Sequence, residues 1–441
     1  MNKKQSIEAA IAQIPDGASI MVGGFGSPGT PFSLIDELVR QGQRNLTLIK
    51  NDANEVGIGI SRLIENGQVD KLISTHIGLN RCVIDLMNSG KLSVEFYPQG
   101  IFAEKIRTAG AGSFGFLSDI GLDSEITQPE QILMWQGTQY KVEMALSADF
   151  ALIHAAQADT AGNLVYRGTA INFSPLMAMA ADQVIVETAD CRSPGELVPE
   201  TIHTPSAFVS SIVELAALND NYGSCKIMSD TNAIIQRAVQ EIRPGNIVNL
   251  GIGLPTQVLD CLPEDLDVLV HAENGVLGAW KQADSRHMNP FLIDSAGTYI
   301  STRPGSAFFD SAVSFAMVRR GKLDLTMIGA FEVDEAGNLA NWKIPGKFSP
   351  GIGGAMELAQ KTPRIVVLTT HCDKHGNPKI LRQCRLPITA KGCVSRIITE
   401  KAVIDVEPQG LVVREKLQDI SNDELQTITE ASLIFANEPE V

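Results

Sequence analysis

"ADFALIHAAQADTAGNLVYRGTAINFSP" (148–175) and "LDLTMIGAFEVDEAGNLANWKIPGKFSP" (323–350) are the stretches whose comparison decides the fold. They share the frame D-x-A-G-N-L followed by F-S-P, and every match falls at one offset. Asp159 pairs with Asp334, Gly162 with Gly337 and Pro175 with Pro350, each 175 residues apart (334−159, 337−162, 350−175). Ungapped agreement of this kind marks an internal duplication. Each copy reads as an apolar strand, an Asx/Gly turn and a second extended segment.

The beginnings of the two copies correspond as well. "GASIMVGGFGSPGTPFSLIDEL" (17–38) and "GNIVNLGIGLPTQVLDCL" (245–262) both run from apolar strand through Gly-rich turn to amphipathic helix. After each comes another short apolar strand, "LTLI" or "VLVH". Strands alternating with helices imply an α/β fold of two related, open, mostly parallel domains. The polar stretch "NDNYGSCKIMSD" (219–230) reads as a linker with a helix N-cap at Asp230. The expected domains are therefore 1–218 and 231–441.

Bulk properties narrow the function. A chain of 441 residues exceeds one ordinary core, in keeping with two domains. A net charge of −15 without any Lys/Arg-rich run excludes a nucleic-acid partner. Any anionic ligand must then be held by local donors against an unfavourable global field. The N-terminus has no apolar signal core, and no run approaches the roughly 20 apolar residues of a membrane span. Seven scattered cysteines lack a Cys-x-x-Cys pair, as expected of reduced thiols in the cytoplasm. His371, Cys372 and His375 resemble part of a zinc site but have no matching partner pair, so no metal is expected.

The duplication gives meaning to "HAENGVLGAW" (271–280). An isolated glutamate at a strand end is most simply a turn-capping acid. Aligning the second strands sets Lys50-Asn51-Asp52 against Ala272-Glu273-Asn274, so Asn51 and Glu273 occupy equivalent strand ends. Ligands of open α/β sheets bind at the carboxyl ends of strands. Both residues are expected in one interdomain cleft.

The glycines admit two readings. Gly24-x-Gly26-x-x-Gly29 is a formal dinucleotide fingerprint, with Asp52 near the place of a ribose-binding acid. This would make the protein a nicotinamide-dependent oxidoreductase. Against it, Pro28 and Pro31 remove N–H groups from the turn, and the second copy, "GIGLPT", lacks the third glycine. "GIGGAMEL" (351–358) offers amides at a helix start for an anion, or simply a loop of positive φ. "FYPQGIFAEKIRTAG" (96–110) sets Gln99 on a loop, with Arg107 on the following helix beside Glu104 as a surface ion-pair partner.

Taken together, these motifs resemble family I CoA-transferases. "ENGVLG", "VNLGIGLPT", "PGSAFFDSAVSFAMVRRG", "ANWKIPGK" and "GIGGAMEL" are similar to the family's β-type portion. "GGFGSPGTPFSLIDEL", "PQGIFAEKIRTAGAG", "DTAGNLVYRGTAINFSPLMAMAAD" and "PGEL" are similar to its α-type portion, fused ahead of the β-type. The resemblance implies that Glu273, of E-N-G, is the nucleophile of a ping-pong reaction through a glutamyl-CoA thioester. It places Gln99, Asn51, Gly353 and Gly354 at the acyl group and its oxyanions. We expect CoA contacts from Gly24, Gly26, Gly251, Gly253, Arg107, Arg303, Lys343 and Lys347, the last group being equally compatible with surface charge. Coenzyme A enters as substrate, with no permanently bound cofactor. The partners expected are an acyl-CoA and a short-chain carboxylic acid, such as the 3-oxoacid acetoacetate, in a homo-oligomer (dimer or tetramer).

Three departures from the family pattern stand out: Lys50-Asn51-Asp52-Ala53-Asn54 replaces S-N-N-A-G, Ala272 replaces a serine, and "FLSDIGLDSEIT" (116–127) replaces T-P-T-G-x-G-T. A hydrolase using the same glutamate is the nearest alternative. A sugar-phosphate isomerase, a deaminase or a ligand sensor fits the duplicated E-N-G architecture less well.

Overall fold

Each half of the chain builds its own sheet, and the computed structural model describes residues 2–218, 233–283 and 288–435. The expected linker 219–230 and the N-cap Asp230 lie outside the described residues. In the first half, strands β1 (Ser19–Val22), β2 (Leu46–Ile49), β3 (Val69–Ser74), β4 (Ser93–Phe96), β5 (Ala148–His154), β6 (Ala181–Thr188) and β7 (Ser211–Glu214) form one sheet. Its order is β7-β6-β5-β1-β2-β3-β4, and every pair is parallel. Helix α1 (Phe32–Gln41) buries Phe32, Leu34, Ile35 and Leu38, an i, i+3 spacing that lays one apolar stripe on the sheet. Each such side chain contributes about 1.5–3 kcal/mol of burial. Gly42, at φ 81°, ends the helix.

The second half repeats the plan with altered edges. Strands β8 (Ile247–Leu250), β9 (Leu269–Ala272), β10 (Val276–Gln282), β11 (Ile300–Phe308), β12 (Leu325–Gly329), β13 (Ile365–Leu368), β14 (Val394–Ile398), β15 (Ala402–Glu407), β16 (Gly410–Lys416) and β17 (Leu433–Phe435) form the sheet. The order is β11-β10-β9-β8-β12-β13-β14-β15-β16-β17. The centre, β9 to β14, is parallel, while β9-β10-β11 and β14-β15-β16 are antiparallel. One expectation fails in detail. Residues 254–261 form a 3-10 helix rather than an amphipathic α-helix. β-branched Thr256 and Val258 weaken the α conformation.

The duplicated frame is visible atom by atom. Short strands Gln157–Asp159 and Leu164–Val165 recur 175 residues on as Glu332–Asp334 and Leu339–Ala340. Asp159 Oδ1 accepts from the amides of Ala161, Gly162 and Asn163 at 3.1, 2.8 and 2.9 Å. Asp334 Oδ1 accepts from Ala336 and Asn338, both at 3.1 Å. In each turn the other carboxylate oxygen takes the asparagine side chain, at 2.7 and 3.0 Å. The run "HCDKHGNP" holds a third such turn, with Asp373 accepting from the amides of His375 and Asn377 and from Asn377 Nδ2. His371 is buried beside it, its ring nitrogens against the hydroxyls of Thr399 (3.1 Å) and Thr429 (2.8 Å).

The halves are joined by contacts of α2 (Gln99–Gly110), α3 (Ser311–Arg319) and α4 (Ala355–Lys361). The Gln99 amide donates to Gly353 O at 2.9 Å, and the Gly353 amide donates to Thr75 O at 3.0 Å. Buried Glu357 of α4 meets the first amides of α2, at Gly100 and Ile101, and ion-pairs with Arg319 at 3.0 Å. The divergent segment 116–127 begins in a small antiparallel sheet of Gly115–Ser118, Ile132–Trp135 and Thr138–Met144, and leaves it after Ser118. Its Ile120 packs with Ile101, Trp342 and Met356 across the two halves.

Because Asp334 is 1% exposed and satisfies its whole turn, Asp334→Ala is expected to destabilise the protein by about 2 kcal/mol. The half-exposed Asp373 makes the same turn, yet water can replace its carboxylate, so Asp373→Ala should shift the denaturant midpoint far less. Chemical unfolding of the two variants measures the difference.

Candidate active site

Glu273 follows β9 and opens a three-residue hairpin to β10, in which Ala272 pairs with Val276. The turn depends on Gly275 at φ 110°, where a Cβ would lie 2.2 Å from Phe309 O. Glu273 is only 4% exposed. Burial raises its carboxyl above the ordinary range; the Asn249 amide, its own backbone N–H and the Ser295 hydroxyl offset part of that rise.

The strand register explains how Asn249 reaches it. Asn249 of β8 lies opposite His271 of β9, and Glu273 is two residues further along the same strand face. Asn249 Nδ2 is 3.2 Å from Glu273 Oε2 and 3.2 Å from His271 Nδ1. His271 Nε2 is 2.9 Å from Ser314 Oγ on α3. Burial lowers the His271 pKa to about 4, so its imidazole is neutral near pH 7. Neutral His271 therefore accepts one Asn249 N–H, donates from Nε2 to Ser314, and so leaves the other Asn249 N–H directed at Glu273.

Glu273 stands where two spaces meet. A cavity of about 60 Å³ is lined from the first half by Phe25, Gly26, Asn51, Asp52, Thr75, His76, Leu79 and Gln99. From the second half come Ile252, Glu273, Ile293, Ser295, Gly297, Gly353 and Gly354. A larger groove of about 390 Å³ also reaches Glu273 and runs through the second half past Gly251, Gly253, Phe331, Asn341 and Lys379. Gln99 Nε2 donates to Asn51 Oδ1 at 2.9 Å, so both amides line the cavity beside Glu273 as one unit.

Asp52, in the same cavity, has the opposite environment. It accepts from Gly26 N at 2.8 Å, Asn54 N at 2.9 Å and Lys50 Nζ at 3.2 Å. Burial would raise its carboxyl, but Lys50 and these amides outweigh that and hold it below the ordinary range.

The structure thus brings together Glu273, Asn51, Gln99, Gly353 and Gly354, and it corrects the roles of several others. Gly353 lines the cavity, but its amide is engaged by Thr75 O and is unavailable to an oxyanion. Gly354, which also lines the cavity, has no backbone acceptor for its amide among the described residues. Gly24 packs against Thr30, where a Cβ would meet Thr30 Oγ1 at 2.4 Å, and the Gly26 amide is held by Asp52. With the Gly26 amide spent on Asp52, the turn does not present it to a pyrophosphate, which removes the physical basis of the nicotinamide reading. Gly251 and Gly253 line the groove.

None of the four cations expected to contact CoA lines either space among the described residues. Arg107 pairs with Glu104 at 2.5 Å and Lys343 with Glu125 at 2.6 Å, while Lys347 is exposed. Arg303 lies 3.8 Å over the Trp280 ring and donates to the carbonyls of Leu266 and Glu264. Arg107, Lys343 and Arg303 each found a nearer anion, carbonyl or ring, which spacing along the chain does not reveal. Sequence reasoning missed Asn249, His271 and Lys379. The available signal for the first two was a lone polar residue inside each apolar strand, "IVNL" and "LVHA".

Residues 4–215 and 232–419 match the coenzyme A transferase family. A mitochondrial succinyl-CoA:3-ketoacid coenzyme A transferase 2A of Rattus norvegicus is 36% identical over 455 residues, covering 96% of this chain and 88% of the relative. A probable coenzyme A transferase subunit beta of Bacillus subtilis is 44% identical over 47% of this chain and 95% of its own length. The apoenzyme structure of an acyl-CoA transferase from Escherichia coli O157:H7 shares the fold. Its TM-score is 0.81 at 22% identity, over 99% of this chain and 94% of that one.

The raised Glu273 carboxyl has a consequence for stability. The folded state keeps that proton to a higher pH than the unfolded chain, so stability falls as pH rises from the ordinary carboxylate range through the raised value. Glu273→Gln removes the titration. The variant should match the wild type in acid and exceed it in melting temperature near pH 7, as a pH series of thermal unfolding will show.

Proposed function

Since this chain belongs to the coenzyme A transferase family, we propose that Glu273 carries CoA between an acyl-CoA and a carboxylate as a covalent glutamyl thioester. The chain is a transferase; the identity of its nucleophile is our reading. One observation carries it: a buried carboxylate, raised by desolvation, at the junction of a small cavity and a longer groove.

The chemistry balances without ATP or a redox partner. A Glu273 oxygen attacks the thioester carbonyl, the C–S bond breaks, and a mixed anhydride and CoA thiolate result. The thiolate attacks the Glu273 carbonyl; the anhydride C–O bond breaks and the first acid leaves as carboxylate. An acceptor carboxylate then runs the same steps backwards. Gln99 Nε2, Asn249 Nδ2 and the Gly354 amide are the donors suited to the tetrahedral oxyanions, each worth about 3 kcal/mol of barrier. A buried site also limits hydrolysis of the intermediates.

The cavity suits a short acyl group, and similarity to an enzyme named for succinyl-CoA and 3-ketoacids supports a 3-oxoacid such as acetoacetate. Free thiols at Cys82, Cys191, Cys261, Cys372, Cys384 and Cys393 fit a reducing compartment, for which we retain the cytoplasm. Exposed Trp135 (59%) on the small sheet and Phe114 (88%) just before it support a homo-oligomer, dimer or tetramer.

Incubation with acetoacetyl-CoA followed by borohydride should convert the Glu273 side chain to an alcohol, detected in its peptide by mass. Glu273→Ala is expected to abolish CoA exchange, a loss of about 10⁴-fold or more. A fully active variant would refute the mechanism. CoA release that is equally fast without an acceptor acid would identify a hydrolase instead.

A further inference from the structure

Lys379 is the one lysine or arginine among the described residues that line the larger groove. Its ammonium donates to Thr369 Oγ1 at 3.2 Å and Thr370 Oγ1 at 2.8 Å, and it forms no ion pair with a described carboxylate. The two hydroxyls give their own protons elsewhere, to the carbonyls of Ala330 (3.1 Å) and Cys372 (2.8 Å). Both are therefore acceptors toward Lys379. An ammonium has three N–H donors, so one is left for a ligand.

The placement is rigid. The Lys379 amide donates to His371 O at 3.0 Å, and its carbonyl accepts from Val333 N at 2.9 Å. Thr369 and Thr370 directly follow β13, at the carboxyl end of a parallel strand, where α/β sheets bind ligands. Burial lowers the Lys379 pKa, with Asp373 and Glu400 acting against that at a distance. A half-buried cation without a carboxylate partner suits an anionic ligand that neutralises it on arrival.

We propose that Lys379, with Thr369 and Thr370, binds a phosphate of coenzyme A while the pantetheine arm lies along the groove toward Glu273. The inference rests on the reading of Glu273 as the group that accepts CoA. Size divides the ligand: the acyl group takes the 60 Å³ cavity, and the long arm takes the 390 Å³ groove. In a chain of net charge −15, a polyanionic substrate needs such a local cation.

Acetoacetyl-pantetheine, which lacks the phosphates, separates this role from a general one. Lys379→Met should raise KM for acetoacetyl-CoA by about ten- to a hundredfold and leave KM for acetoacetyl-pantetheine unchanged. Lys379→Arg should restore part of the loss. Equal effects on both esters, or none on either, overturn the proposal. A measurement on the wild type guards against misfolding of the variant. CoA should protect Lys379 from acetic anhydride and pantetheine should not; equal protection, or none by CoA, again overturns it. Borohydride trapping at Glu273 tests the underlying reading separately, since it requires no particular contact at Lys379.

Discussion

A carboxylate from the second half lies against the first turn of a first-half helix, and the cleft is built on that contact. Glu357 lies fully buried against the opening amides of α2, where the helix presents its positive end. Its charge is shared with Arg319, which also reaches Glu104 at 3.2 Å. Gly100 permits the approach, because a Cβ there would lie 2.1 Å from Glu357 Oε2. The same turn of α2 carries Gln99, whose amide is fixed by Gly353 O and whose side chain is fixed by Asn51. Joining the halves and placing the polar groups around Glu273 are thus one event.

Two carboxylates line the small cavity, and their surroundings drive them apart. Asp52 has Lys50 and backbone amides and stays ionised. Glu273 has neutral donors and burial, which leave it more basic. Placing Lys50 beside Asp52 rather than Glu273 matters for chemistry. A paired cation would stabilise the Glu273 carboxylate in the ground state and weaken it in the nucleophilic role proposed for it. Neutral His271 serves the same end, orienting Asn249 without adding charge.

The duplication is most faithful where the backbone needs it and diverges where the halves meet. The D-x-A-G-N turns keep the same hydrogen bonds. After F-S-P the copies part: Ser174 begins a helix at once, whereas Pro350 leads into Gly351-Ile352-Gly353-Gly354 before α4. That insertion crosses to the first half, pairing Gly351 with His76 and giving Ile77 N–H an acceptor in Pro350 O. At Gly351 a Cβ would lie 2.4 Å from Thr75 O, so the crossing requires glycine.

The duplication, the parallel centres of the two sheets and the position of Glu273 at a strand end were legible in the sequence by itself. They rest on local rules: apolar runs of strand length, an Asx/Gly turn repeated at one offset, and a carboxylate with Asn-Gly behind it. Tertiary structure alone decided which groups face that carboxylate. Asn249 and His271 meet Glu273 through register between strands, and Gly353 spends its amide on Thr75, a partner 278 positions away (353−75). Arg303 and Lys379 illustrate the limit, since both are single cations in loop-bounded segments. One is drawn to a Trp280 ring and two carbonyls, and the other is left with two hydroxyls at the edge of the groove. Charge is written in the sequence, but its nearest partner is set by packing, and partners decide whether a cation is structural or waits for a ligand.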